Sequence, residues 1–361
     1  MIAYNESRWV VAVKYLKIFI FLIIMMFSFF FRAKLDISEV KETVLPKNIL
    51  TDEDYKRDMI DELGNIPIMM YHGIVNKEGT YQGNYDNDGY TRTLSAFRND
   101  LEMYYQKGYR MIKLDDYIHG RIDTEYGYSP IILTFDDGND NNILVDGIDD
   151  NGDIIINKYS AVYVLEEFKK KYPDYNVTAT FFVTDSLFNQ AEYNEKIVKW
   201  LIEHGYSIGN HTKHHDNLSK IDNDKIGNTI GYMYSKLNSI IGDNYSKIVA
   251  LPFGAPYNRD SDKFPYIIDS KYKEITYHTD AILRVGWEPE FSPFNKKVDM
   301  TYLKRCRAYD NDGKDFDIEY VFKMLDKNRY ISDGNKDTIV STKSKSDMIN
   351  NSYNLEVILY E

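Results

Sequence analysis

SPIILTFDDG, residues 129–138, is an apolar run that stops on two adjacent acids and a glycine. A short apolar run bounded by turn residues reads as a buried strand. Working outward, the same form recurs. IPIMMYHGI (66–74), VTATFFVT (177–184), SIGNHT (207–212) and KIVALPFGAP (247–256) are strand-like runs, several with polar residues at the far end. Between them lie stretches with helical spacing. TLSAFRNDLEMYYQKGY (93–109) opens on a cap signal and stops at Gly108. SAVYVLEEFKKKYP (160–173) stops at Pro173, NEKIVKWLIEHGY (194–206) stops at Gly205, and NDKIGNTIGYMYSKLNSIIG spans 223–242. Strands alternating with helices predict an α/β protein with a parallel sheet, and the number of units suits a (β/α) barrel. In such folds chemistry gathers at the C-terminal ends of the strands. One segment, 139–160, interrupts the alternation. Asn151-Gly152 between ILV and IIIN predicts a β-hairpin insertion. DGIDDNGD within it has the composition of a calcium loop but not the spacing or closing Glu of an EF-hand.

The chain has 361 residues, 43% of them hydrophobic and 28% charged, which allows one large domain or two small ones. The formal net charge of -12 and the lack of a long basic cluster argue against nucleic-acid binding. The lone Cys306 rules out an intramolecular disulfide and a cysteine zinc cluster. A packed structural cysteine is the plainer expectation than a reactive thiol.

Residues 1–34 differ from the rest. Ile18–Phe31 is apolar apart from Ser28, and extending the run back to Val10 gives a membrane-spanning length, with Lys14 and Lys17 able to snorkel. No small-x-small cleavage site follows. We expect an uncleaved signal anchor holding the protein on the extracytoplasmic face, with secretion as the alternative if the segment is cleaved. Residues 35–62 are polar and charged and read as a stalk, leaving 63–361 as the catalytic domain.

The chemistry rests on two clusters. His211 and His215 are four positions apart, which on a helical turn points both imidazoles the same way. With one carboxylate they make a His2Asp set that leaves a coordination position open for water or substrate. A second Asp then serves as general base. Asp136 and Asp137 tolerate each other if a metal neutralises one and an arginine or the metal's field keeps the other ionised. His214, paired with His211 at i, i+3, is an alternative ligand.

The ordered motifs IILTFDDG (131–138), ATFFV (179–183), IGNHTKHHDNLS (208–219) and IVALPFG (248–254) resemble the polysaccharide deacetylases, the NodB-like carbohydrate esterases of family 4. IPIMMYHGI (66–74) resembles the start of their extracellular Gram-positive members. The resemblance covers roughly residues 64 to 340. It implies a distorted (β/α) barrel that removes acetyl groups from N-acetylated amino sugars with one divalent metal, usually zinc, with cobalt, nickel or manganese as alternatives. It implies Asp136 as base, Asp137, His211 and His215 as metal ligands, and Thr212 as an orienting residue. The backbone around Phe253 and Gly254 would hold the oxyanion, and Trp287 would line the pocket.

Two departures stand out. The arginine that usually pairs with the base would fall at Ala250 or Leu251, and Arg305 is the candidate substitute. The usual C-terminal Leu-x-His is absent, since no histidine follows His278. The general acid is then either missing, replaced by His72, or supplied by a metal-bound or base-side proton relay. The leading expectation is an N-deacetylase of peptidoglycan or poly-N-acetylglucosamine. The alternatives are a catalytically impaired glycan-binding module and a hydrolase of another amide or ester.

Overall fold

The structure is a computed structural model and describes residues 50–76 and 85–361. The expected anchor (1–34) and residues 35–49 of the stalk lie outside the described residues. Among the described residues no helix is long and apolar enough to cross a membrane.

Eight strands form the central sheet: β1 (Ile68–Tyr71), β2 (Tyr109–Met111), β3 (Ser129–Phe135), β4 (Thr180–Val183), β5 (Ser207–Asn210), β6 (Ile248–Ala250), β7 (Ala281–Leu283) and β8 (Cys306–Arg307). Their order is β7-β6-β5-β4-β3-β1-β8, every pair parallel, with β2 on the first half of β3. The two ends of this path are tied by one segment. Leu303 bridges to Leu283 of β7 in parallel, and its N–H donates to the Ile282 carbonyl at 2.8 Å. Three residues later the same segment becomes β8 and pairs with Met69 and Met70 of β1. The curled sheet is thereby a distorted (β/α) barrel, as the alternation predicted.

Strand alternation sets what faces the inside. In β3, Leu133 and Phe135 point outward and pack on the helices α1 (Leu94–Gln106), α2 (Ala161–Lys171), α3 (Asn194–Glu203), α4 (Ile226–Ile241) and α5 (Ile318–Asn328) through residues such as Phe97, Leu165, Ile197, Met233 and Phe322. Ile132 points inward to meet Phe182, Ile248, Ala250, Leu283 and Leu303. Helix boundaries follow local chemistry. Thr93 caps α1 by accepting the Ala96 N–H, and Gly108 just past its end has φ +82°.

The insertion is a two-stranded antiparallel hairpin, Val145–Ile148 with Ile154–Ile156, turning through Gly152 at φ +90°. The turn is held by the Asp149 carboxylate, which accepts from the Asn151 and Asp153 N–H groups. Cys306 is wholly buried, and burial pushes its thiol well above the ordinary cysteine range. That is the packed cysteine expected from composition.

One boundary moves. Residues 52–62, expected in the stalk, belong to the same unit as the barrel, which spans Asp52–Glu361. Tyr55, Ile60 and Leu63 are buried. The Glu62 carboxylate, also buried, accepts from Tyr330 Oη and from the Asp333 and Val340 N–H groups. Composition misled here because an acidic residue need not face solvent: of the six in 52–62 only Asp52 and Glu53 are exposed, Asp54, Asp58 and Asp61 are half-buried, and Glu62 is buried. The partners that anchor the segment come from residues 330–360, which include a parallel pair, Thr338–Thr342 with Glu356–Tyr360.

Candidate active site

Asp136 follows β3 in the inward register of Ile132 and Thr134, so its carboxylate meets the barrel interior. Arg305 reaches it from the closing segment. Arg305 Nη1 and Nη2 donate to the two Asp136 oxygens at 2.7 Å each, and Arg305 Nε donates to the Arg284 carbonyl at 3.1 Å. Both side chains are buried. Burial by itself would raise the Asp136 carboxyl. The Arg305 guanidinium more than offsets this and holds it well below the usual carboxylate range. His72 Nε2 lies 3.9 Å from Asp136 Oδ2, and its Nδ1 is buried without a hydrogen bond. Burial pulls its pKa down, partly countered by Asp136.

Asp137 leaves the strand register at φ +73°, followed by Gly138 at φ +64°. A Cβ on Gly138 would lie 2.0 Å from the Leu187 carbonyl oxygen, so the turn requires glycine. The turn aims Asp137 at the two histidines. Its Oδ1 lies 3.2 Å from His211 Nε2 and 3.3 Å from His215 Nε2.

The histidines do not sit on a helical turn as the i, i+4 spacing suggested. The loop after β5 is irregular, with Thr212 at φ +63° and His215 at φ +57°. It is held from outside. The Asn210 side chain accepts the Thr212 N–H and donates to the Ile230 carbonyl of α4. The Thr229 hydroxyl of α4 donates to the Asp216 carboxylate and accepts the Lys213 N–H. Asp216 N–H in turn donates to Thr212 Oγ1 at 2.7 Å. Asn210, Asp216 and Thr229 carried no signal in the sequence, because they act through partners on another element. His214 belongs to the exposed side of this loop and is not in the cluster.

The donor set fits a metal. His211 Nδ1 is 2.8 Å from the Ala250 carbonyl, which only accepts, so Nδ1 carries the hydrogen and Nε2 presents a lone pair. His211 Nε2 and Asp137 Oδ1 are buried facing each other, neither making a hydrogen bond. Two lone pairs at that distance want a cation between them. Ligands about 2.0–2.1 Å from a tetrahedral ion sit roughly 3.3 Å apart, which matches the two separations. Among the described residues, Asp137, His211 and His215 are the one such group. Burial would lower His211, but Asp136 and Asp137 outweigh it and raise its pKa. His215 is lowered by partial burial and by His211.

The Pro252–Gly254 turn closes the cluster. Phe253 has φ +59°, its exposed ring standing edge-on to His215 at 4.5 Å. Gly254 N–H is committed to the Leu251 carbonyl, which leaves the Phe253 N–H as the free donor of the two. Gly286 packs on the backbone of Arg305, and Trp287 beyond it is exposed with its ring against Phe316, 4.9 Å away.

A sequence model of the polysaccharide deacetylase family matches residues 124–264, a span that includes Asp136, Asp137, His211 and His215. Over that span, 141 of the 361 residues, this chain is similar to that family. A curated relative, the peptidoglycan-N-acetylglucosamine deacetylase of Bacillus cereus, is 32% identical over 130 residues, 36% of this chain. The matched part spans 38% of that relative's length. Among solved structures, a Streptococcus pyogenes deacetylase in complex with acetate has a TM-score of 0.46 at 19% identity, covering 67% of this chain and 91% of that one. A de-N-acetylase from Aggregatibacter actinomycetemcomitans has a TM-score of 0.46 at 12% identity, covering 71% and 99%. The barrel described above stands on its own strand order.

Proposed function

We propose that this deacetylase-family chain is a metal-dependent hydrolase that removes N-acetyl groups from amino sugars of a cell-wall or extracellular polysaccharide. The observation that carries the reading is the pairing of an ionised, buried Asp136 with the adjacent Asp137–His211–His215 donor set. The two neighbouring acids have separate jobs: one ligates, the other takes a proton. The His2Asp set suits zinc, with cobalt, nickel or manganese able to substitute. A bound divalent ion supplies Lewis acidity at the acetamide carbonyl and lowers the pKa of a water molecule.

The chain's own groups do the rest. Asp136, held ionised by Arg305, takes the proton of the attacking water. The Phe253 N–H donates to the oxygen on which negative charge develops. His72, beside Asp136 with a free ring nitrogen, is the group placed to return a proton to the departing amine, in the role of the missing C-terminal histidine. Arg305 answers the other departure, and this weighs against the impaired-module alternative. The glycan class is supported by the name of the Bacillus cereus relative. An extracytoplasmic place is supported by the apolar N-terminal run.

The test is acetate release from N-acetylglucosamine oligomers and from peptidoglycan, with zinc or cobalt, with chelator, and with Asp136→Asn. Release that needs metal and falls about 100- to 10,000-fold in Asp136→Asn sustains the reading. No release from any glycan by protein that binds one metal per chain would overturn it.

A further inference from the structure

We propose that Arg307 recognises a carboxylate on the glycan, so that the preferred substrate is an anionic amino-sugar chain rather than a neutral one. The proposal rests on the deacetylase reading and narrows its substrate.

Arg307 stands two residues beyond Arg305 on the closing segment. Between them Cys306 points outward into the helical layer. Strand alternation therefore turns Arg307 to the same inner side as Arg305, about 7 Å nearer the C-terminal mouth. Its stem lies against Gly89, where a Cβ would come within 3.0 Å of Arg307 Cδ. Its guanidinium is 5.4 Å from the ring of Tyr90, which is 47% exposed. Tyr90 stands edge-on to His72 at 5.0 Å, and His72 is 3.9 Å from Asp136. Two rings, exposed Tyr90 and buried His72, thus lie between the cation and the base.

What sets Arg307 apart is its lack of an acceptor. Seven of the ten arginines among the described residues have a carboxylate within 4.0 Å. Arg284 and Arg329 donate to backbone carbonyls instead. Arg307 has neither among the described residues, and its Nε is buried without a hydrogen bond. This is in a chain with 56 acids against 44 lysines and arginines, where a partner was easy to supply. Its two Nη groups have no partner among the described residues and, unlike Nε, are not among the buried atoms, so they are open to an arriving acceptor. The planar guanidinium fork matches a carboxylate with two parallel hydrogen bonds. Its place beside the site, rather than over it, suits a carboxylate on the sugar next to the one that loses its acetyl group.

The full chain, loaded with zinc, is assayed on three chains of equal length. One is an N-acetylglucosamine oligomer. The second carries a 3-O-linked lactic acid on every other sugar. The third is the second with its carboxylates methyl-esterified. Wild type should favour the free acid over the ester by about 10- to 100-fold in kcat/KM, mostly through KM. Arg307→Met should bring that ratio to about one, and Arg307→Lys should fall between. An unchanged ratio in Arg307→Met, or no preference in wild type, overturns the proposal. Should wild type release no acetate from any chain, the deacetylase reading falls. Calorimetric binding of the acid and the ester then judges Arg307 separately: acid-selective binding lost in Arg307→Met sustains its role, and equal binding overturns it.

Discussion

Asp136 and Asp137 are neighbours in sequence and differ sharply in surroundings. One is clamped by a buried guanidinium; the other faces two imidazoles. Removing the clamp has a calculable outcome. In Arg305→Met the Asp136 charge stays buried without its partner, and metal-free protein should lose about 3–5 kcal/mol. Asp136→Asn with Arg305→Met should lose less than the sum of the single changes. The pH dependence should reverse as well. In wild type the Asp136 pKa lies below its unfolded value, so its stabilisation is complete above about pH 4 and is lost as pH falls through the folded value. In Arg305→Met burial raises the carboxyl, so stability falls as pH climbs from about 4. Urea titrations of both proteins between pH 4 and 7 would show it; parallel pH curves would refute it. At this scale much of the site was legible. Both acids, both histidines and Arg305 converge, because each residue type announces its chemistry. Which carbonyl fixes the His211 tautomer was not legible, because a backbone oxygen has no residue code.

At the scale of elements, the sequence located strand tips and helix stops well and local backbone poorly. The i, i+4 histidines suggested a helical turn, yet two positive-φ residues carry them. That conformation is strained for ordinary side chains and persists only where the surroundings impose it. The imposing contacts come from α4. Thr229→Val removes a hydroxyl that binds both Asp216 and the Lys213 N–H without touching any ligand. Metal affinity measured by titration should fall about 10- to 100-fold, with most of it kept in Thr229→Ser. A Thr229→Val protein that binds metal as tightly as wild type would remove the clamp from the account. The hairpin insertion was readable for the opposite reason: Asn151-Gly152 encodes its turn locally.

Over the whole molecule, the polar stretch before the barrel proved to be partly structural. Tyr55, Ile60 and Leu63 together bury side chains worth about 1.5–3 kcal/mol each. A typical domain has about 5–15 kcal/mol in all. A chain beginning at residue 64 should therefore unfold far more readily than one beginning at 50, or fail to fold. Thermal unfolding of the two decides it, and equal midpoints would return 52–62 to the stalk. Composition did not reveal this packing, since it depends on partners some 270 residues away.

The segment from Met300 to Arg307 joins β7 to β1, and it also carries Arg305. Sealing the ring and arming the base are therefore one event. A molecule whose ring has not shut holds Asp136 without the Arg305 guanidinium beside it, and so without what keeps the proposed base ionised. On the proposed mechanism, the protein needs no separate safeguard against half-made forms, since competence arrives only with the last stave.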